Sequence, residues 1–75
     1  MATLKQVNAL CDKQGVEFDE AHDDCFYSVM LWAPEGKVFD GTGGECASVT
    51  EARGITKAQF WDAVITEVET LVQLE

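Results

Sequence analysis

One ten-residue segment, Glu17 to Phe26 (EFDEAHDDCF), concentrates the side chains of this sequence that could do chemistry. It holds five carboxylates, one histidine and one cysteine between two apolar stretches. Such a segment could bind a metal ion, activate a thiol, or present negative charge to a basic partner. Each of these three possibilities makes its own demand on the rest of the sequence.

A metal site finds little support in the spacing of these residues. A calcium loop needs a glycine at its sixth position and a bidentate acid at its twelfth. Counted from Asp19, the sixth position is an aspartate and the twelfth a methionine, so the calcium pattern does not fit. A zinc site could begin with His22 and Cys25, but it would need Cys11 or Cys46 from elsewhere in the chain. We therefore predict neither a metal nor a cofactor.

Catalysis also lacks a complete set of residues. His22 and Cys25 could form a thiolate–imidazole pair, but such a pair also needs an orienting group and an oxyanion site. No two carboxylates are singled out for the dry cleft that acid–base catalysis requires. The glycine-rich GTGGE segment lacks the GK[ST] ending of a phosphate loop, and Glu45 stands where a cation is expected. The sequence predicts a protein that is not an enzyme and has no catalytic residues.

The overall charge favours the third possibility. Fourteen acidic residues against five basic ones give a formal net charge of −9 and a pI near 4.2. Such a field repels nucleic acid and anionic membranes, and it speeds encounter with basic surfaces. Acidity can also serve only to keep a small protein soluble. The expected partner is another protein with a basic surface, rather than nucleic acid or a membrane.

Length and composition predict a single domain over residues 1–75. The apolar fraction, 47%, is normal for a folded protein. No apolar run approaches the ~18 residues of a membrane span, and the N-terminal residues lack the layout of a signal peptide. We therefore expect a cytoplasmic protein whose thiols stay reduced. Three cysteines cannot all pair within one chain, although one bridge is possible.

A helix is predicted near each end of the sequence. Thr3 followed by Gln6 fits a capping box, and an apolar stripe then runs to Gly15, which predicts a helix over 4–14. Thr56 and Gln59 repeat the capping pattern near the other end. The second apolar stripe, which predicts a helix through the rest of the chain, consists of Ala58, Trp61, Val64, Ile65, Val68, Leu71 and Val72.

The middle of the sequence predicts strands joined by turns. VEFDEA alternates in the manner of a half-exposed strand, AHDD favours a turn, and CFYSVMLWA is the strongest strand pattern. APEG predicts a turn with Pro34 at its second position, after which KVFD returns as the hairpin partner and CASV forms a last short strand. The predicted fold is a two-layer α+β sandwich of order α-β-β-β(-β)-α, in which a small antiparallel meander packs against the N- and C-terminal helices.

A two-layer fold can seal only one face of such a sheet. Either the even-numbered or the odd-numbered side chains of the strongest strand should therefore stay partly exposed. An apolar patch ringed by acids has the anatomy of a binding face. The residues predicted to bind a partner are Glu17, Asp19, Glu20, Asp23, Asp24, Phe26, Met30 and Trp32.

Two functions fit this prediction. The first is a small acidic adaptor or inhibitor that binds another protein, steered by its carboxylates, which could mimic the phosphates of nucleic acid. The alternative is a structural module that self-associates, for instance as a homodimer, through the sheet face or an exposed sheet edge.

The sequence also resembles a known group of proteins. APEGKVFDGTG after an aromatic strand, followed by the capped helix ITKAQFWDAV, is similar to small uncharacterised proteins encoded by phages and prophages. The likeness covers roughly half of the chain. It implies no defined activity and no functional residues, and it favours an accessory protein that binds a host component. The order of elements is also similar to that of double-stranded-RNA-binding domains, but only Lys57 occupies the turn where that family has a basic cluster, so we expect no RNA binding.

Overall fold

Within residues 2–22, 26–41, 43–52 and 55–73, which the computed structural model describes, the chain forms two helices and five strands. In chain order these are α1 (Leu4–Gln14), β1 (Glu17–His22), β2 (Phe26–Trp32), β3 (Lys37–Phe39), β4 (Cys46–Ala52), α2 (Lys57–Glu69) and β5 (Leu71–Gln73). All strand pairs are antiparallel, and the two helices pack together and against the strands. The predicted α+β class is confirmed.

Both helices begin at the predicted capping boxes. Thr3 Oγ1 accepts from the Gln6 amide at 3.2 Å, and Gln6 Oε1 accepts from the Thr3 amide at 2.9 Å. Thr56 and Gln59 make the same pair of bonds at 3.1 and 2.9 Å. Each box satisfies backbone donors that the first helical turn leaves without partners, which fixes where the helix starts.

The capping bonds yield a first testable prediction. We expect Thr56→Ala to lower the free energy of unfolding by about 1 kcal/mol, because the Gln59 amide loses its acceptor. Thr66→Ala is the matched control, since the Thr66 hydroxyl only bonds the Asp62 carbonyl within the helix and its removal should change stability by less than about 0.5 kcal/mol. Urea unfolding followed by circular dichroism measures both. Equal stability of the two variants would contradict the role of the cap.

The first helix ends at Gln14 and is capped by Gly15, as predicted. This glycine has φ +74°, and its amide and that of Val16 bond the carbonyls of Asp12 and Cys11. A Cβ at this position would lie 3.3 Å from Cβ of Pro34. Glycine is therefore favoured here, because its backbone conformation strains other residues and a side chain would crowd Pro34, and the chain can turn directly from α1 into β1.

The strands form two sheets, a three-stranded sheet of order β1-β2-β4 and a two-stranded sheet of β3 and β5. The bond from Ala33 N to Glu45 O, 2.7 Å long, extends the β2–β4 ladder by one pair beyond Trp32 and Cys46. Bonded and non-bonded pairs alternate in an antiparallel ladder. It follows that odd-numbered residues of β2 bond to β4 and even-numbered residues of β2 bond to β1.

The first strand runs further than the sequence indicated. Ala21 was shared by the predicted strand and the predicted turn, and His22 was expected in the turn, but both belong to β1 and lie opposite Ser28 and Tyr27. Continuing the ladder with β2 satisfies the backbone groups of Ala21, which bond Ser28, and this outweighs a local preference for turns. Asp23, Asp24 and Cys25, which complete the predicted turn and begin the predicted strand, lie outside the described residues.

The predicted partner of KVFD was wrong. Strand β3 does not form a hairpin with β2 but pairs with β5, while the longer β4 pairs with β2 over seven residues.

The turn between β2 and β3 also differs from the prediction. Lys37 N bonds Pro34 O at 3.1 Å, which makes Pro34 the first residue of the turn and not the second. Gly36 then occupies the third position, where its φ of +84° is the conformation that a type II turn requires.

The second helix is shorter than its apolar stripe suggested. It ends at Glu69, and Leu71–Gln73 forms β5, so the predicted continuation of the helix was wrong. Asp40 N bonds Thr70 O at 2.9 Å and guides the chain into pairing with β3. Leu71 lies opposite the fully buried Phe39. A short apolar run fits a strand as well as a helix, and here pairing with β3 decides between them.

The core lies between the helices and one face of the sheet. Trp61 is only 5% exposed, as its place on the α2 stripe predicted, and its ring lies 5.1 Å from that of Phe60. Phe60 in turn lies 5.5 Å from the ring of Tyr27 on β2. The buried cluster consists of Ala2, Val7, Cys11, Val16, Val29, Leu31, Phe39, Ala47, Phe60, Trp61, Val64 and Val68. No helix in the described ranges is both long and apolar enough to cross a membrane.

Candidate protein-binding face

The side of the three-stranded sheet that points away from the helices is called here the outer face. Residues directly opposite one another in antiparallel strands point to the same side of the sheet, so the register identifies its members. They are Glu17 and Asp19 of β1, Ser28, Met30 and Trp32 of β2, and Cys46, Ser48 and Thr50 of β4. Seven of these eight are exposed, Ser28 being half-buried.

Two large apolar side chains form the centre of the outer face. Trp32 is 39% exposed and Met30 is 37% exposed, whereas their neighbours Val29 and Leu31 are fully buried against the helices. Of the two alternatives that the sequence left open, the even-numbered face is therefore the exposed one. Phe26 has the same parity, but its side chain lies outside the described residues.

Carboxylates border this apolar centre on the β1 side. Glu17 lies directly opposite Trp32, and Asp19 lies directly opposite Met30. Two residues of a strand span about 6.8 Å, so the two carboxylates form a short row along the patch. The sequences of β1, β2 and β4 contain no lysine or arginine. The outer face thus combines an apolar centre with negative charge that no lysine or arginine on its own strands neutralises.

The pleat of the sheet divides the predicted acidic cluster. Glu20 lies opposite the buried Val29, so it belongs to the helix side of the sheet, although its position on β1 keeps it exposed. Glu17 and Asp19 lie on the outer face, and Asp23 and Asp24 fall outside the described residues. Only part of the predicted set is therefore shown to share one surface with Met30 and Trp32.

Opposite the acids, β4 contributes small polar groups and one thiol. Cys46 and Trp32 form a pair that is not hydrogen-bonded through the backbone, and side chains in such pairs lie close together. Ser28 and Thr50 form a second such pair, and their hydroxyl oxygens are 3.2 Å apart. Sequence reasoning missed this half of the face, because CASV alone predicted a shorter strand with no partner assigned.

The strand register keeps the backbones of His22 and Cys46 apart, and Cys25 lies outside the described residues. His22 lies opposite Tyr27 and Cys46 opposite Trp32, at two ends of β2 that are about 17 Å apart along the strand. Cys11 is buried in α1, and burial, helped by the negative charge of Asp12, raises the pKa of its thiol. Within the described residues there is no group of three or more His, Cys, Asp or Glu side chains arranged to hold a metal ion.

A surface pocket of about 250 Å³ opens between the C-terminal ends of the helices and β5. It is lined by Leu10, Gln14, Val68, Glu69 and Leu71. Ligand pockets are usually larger, about 300–1,000 Å³, and contain several convergent polar groups. This pocket has one carboxylate and one amide, which offer no pair for acid–base chemistry. The sequence did not indicate it, because Leu71 was assigned to the helix.

These features make the outer face the best candidate for a functional site. It combines exposed aromatic and thioether side chains with a charged border, as protein interfaces do. Neither protein-family models, nor curated proteins, nor solved structures show a match to this chain.

Proposed function

We propose that this protein is a small acidic protein-binding module that docks through its outer face onto a protein with basic groups around an apolar centre. The observation that carries the proposal is the exposure of Trp32 and Met30 directly beside Glu17 and Asp19. The lysine and arginine residues of the sequence lie outside the three strands of this face. Charge complementarity therefore selects a basic partner.

The two kinds of residue contribute different terms to binding. A tryptophan side chain offers up to about 250 Å² of surface, so the 39% of Trp32 that is exposed corresponds to about 100 Å². Burying that area would contribute about 2.5 kcal/mol at 25 cal/mol per Å². The carboxylates would mainly raise the association rate and reject acidic competitors. Affinity should therefore depend on the apolar centre, and salt sensitivity on the acids.

An adaptor or inhibitor of a host component, acting in the cytoplasm, is the form of this function that agrees with the sequence resemblance to phage and prophage proteins. Mimicry of nucleic acid is a special case in which the partner is itself a nucleic-acid-binding protein and the carboxylates take the place of phosphates. Competition by a short DNA duplex for the same partner would identify that case.

Self-association through the outer face is the second candidate, because the same exposed patch could cover a copy of itself. Each copy has a net charge of −9, and stacking two outer faces would bring the Glu17 and Asp19 rows together. Like charges so placed repel each other. This repulsion is why a basic partner is preferred.

The test uses a partner captured from a lysate, identified and purified, and then titrated against variants of this protein. Trp32→Ser with Met30→Ser should weaken binding by at least tenfold at every salt concentration. Glu17→Gln with Asp19→Asn should weaken it about tenfold at low salt and much less at high salt. Asp12→Asn with Glu69→Gln is the control, because it removes two exposed carboxylates from the helices and should change affinity less than twofold.

Two results would overturn the proposal. One is unchanged affinity in the Trp32 and Met30 variant while circular dichroism shows an intact fold. The other is a stable dimer at sub-micromolar concentration in sedimentation experiments that dissociates when the same two residues are changed, which would assign the outer face to self-association.

A further inference from the structure

We propose that the partner binds by adding a strand to the free edge of β1, as an extended segment with basic residues at alternate positions, antiparallel to β1. This inference rests on the proposed function and specifies the geometry of its partner. Its basis is the juxtaposition of a strand edge that no described residue pairs with and the carboxylate row of the outer face.

The main chain of β1 supplies the first part of the argument. The sheet order β1-β2-β4 places β1 at an edge. Because even-numbered residues of β2 bond to β1, the backbone groups of Glu17, Asp19 and Ala21 face β2, opposite Trp32, Met30 and Ser28. The backbone N–H and C=O groups of the residues between them therefore point away from the sheet; these residues are Phe18, Glu20 and His22.

Nothing in the described part of the chain pairs with that edge. Outside the β1–β2 ladder, the backbone bonds among described residues do not involve Phe18 or Glu20. An unpaired edge of this kind is a template for another strand. Main-chain bonds then provide affinity, and the alternating side chains of the incoming strand provide specificity.

The side chains of β1 determine which strand fits. Residues of an added strand that lie opposite Glu17 and Asp19 would point to the outer face, where carboxylates favour lysine or arginine. A residue opposite Phe18 would point to the helix side, where Phe18 is half-buried against the core. The fitting sequence is thus basic, apolar, basic at consecutive positions, and its basic residues continue the border of the Trp32 patch.

A second copy of this chain is a poor occupant of the same edge. Three of the six residues of β1 are acidic, so an antiparallel pair of β1 strands would place carboxylates near carboxylates. Like charges opposite each other destabilise a ladder. The other edge of the sheet, β4, contains a single acid, Glu51, and therefore offers much less attraction for a basic strand.

The probe for this inference is a short peptide, acetyl-Lys-Val-Lys-Val-Lys-Val-Lys-amide. On antiparallel addition its lysines lie opposite Glu17 and Asp19, and its valine amides bond the outward groups of Phe18 and Glu20. We expect saturating peptide to slow hydrogen exchange at the amides of Phe18 and Glu20 at least tenfold. The amides of Glu17 and Asp19 should change little, because they already bond β2. NMR on the labelled intact protein resolves these four positions.

Two N-methylated forms of the peptide separate strand pairing from simple charge attraction. Methylation of the valine amides removes the donors that face β1 and should weaken binding at least tenfold. Methylation of the lysine amides, which face solvent, should weaken it less than threefold, although charge and composition are the same. The opposite order of the two peptides would overturn the antiparallel arrangement.

A charge reversal completes the test. The Glu17→Lys, Asp19→Lys variant should no longer bind the lysine peptide and should instead bind the corresponding glutamate peptide. The control variant, Asp12→Lys with Glu69→Lys, should still bind the lysine peptide in preference to the glutamate peptide. Absent binding, or binding without slower exchange at Phe18 and Glu20, overturns the strand addition. Neither result touches the proposed function, which is decided separately by titrating the purified partner against the Trp32 and Met30 variant.

Discussion

Replacing Trp61 with alanine will lower the free energy of unfolding by about 3–5 kcal/mol. Only 5% of Trp61 is exposed, and its ring packs against Phe60 in the buried cluster. A domain of this size has a total stability of about 4–11 kcal/mol, so the substitution removes a large share of it. Urea unfolding followed by circular dichroism should show a midpoint shifted to much lower denaturant, or a chain already unfolded in buffer.

The matched control is the other tryptophan. Trp32 is 39% exposed on the outer face, so Trp32→Ala should cost at least about 1 kcal/mol less than Trp61→Ala. The same side chain is removed in both variants, and only its environment differs. Losses of equal size would show that the two tryptophans are not divided between core and surface as described.

The second large effect is expected in β5. Val72→Pro should lower the free energy of unfolding by about 2–3 kcal/mol, because proline removes a ladder donor and leaves a carbonyl of β3 without its partner. The bond from Asp40 N to Thr70 O sets the alternation of the β3–β5 ladder. Bonded pairs recur every two residues, so the next bonded pair after Asp40 and Thr70 is Val38 and Val72.

Gln73→Pro is the control for this substitution. Gln73 lies opposite Lys37 in a pair that is not bonded, so its amide points away from β3, and its side chain is exposed. We expect a loss below about 1 kcal/mol, measured in the same urea experiment. If the two prolines were equally disruptive, the β3–β5 register would have to shift by one residue.

Local patterns predicted the helices well, because their boundaries depend on neighbours in sequence. Thr3 with Gln6 and Thr56 with Gln59 each place the bonding groups three residues apart, so the capping box forms without help from the rest of the fold. The end of α1 at Gly15 is equally local. The burial of Trp61 followed from helical periodicity over several turns, which is the most reliable of sequence signals.

Local sequence patterns could not predict which distant strands pair with each other. KVFD is next to β2 in sequence, yet β4 pairs with β2, because β4 offers a ladder of seven residues and β3 only three. Leu71 and Val72 fit the apolar stripe of α2, but antiparallel pairing with β3 makes them part of a strand. Both outcomes depend on which backbone groups remain unpaired once the other elements are in place, and that is a property of the assembled fold.

The candidate site divides in the same way. The sequence alone determined the negative charge, the absence of lysine and arginine from the segments that form β1, β2 and β4, and the alternation that puts Glu17 and Asp19 on one side and Phe18 on the other. The tertiary structure decided that the helices cover the odd-numbered side of β2, which leaves Met30 and Trp32 exposed, and that β1 is an edge. Composition and alternation are properties of the amino-acid sequence, whereas the exposure of a side chain depends on which face of the sheet the helices cover in the folded protein.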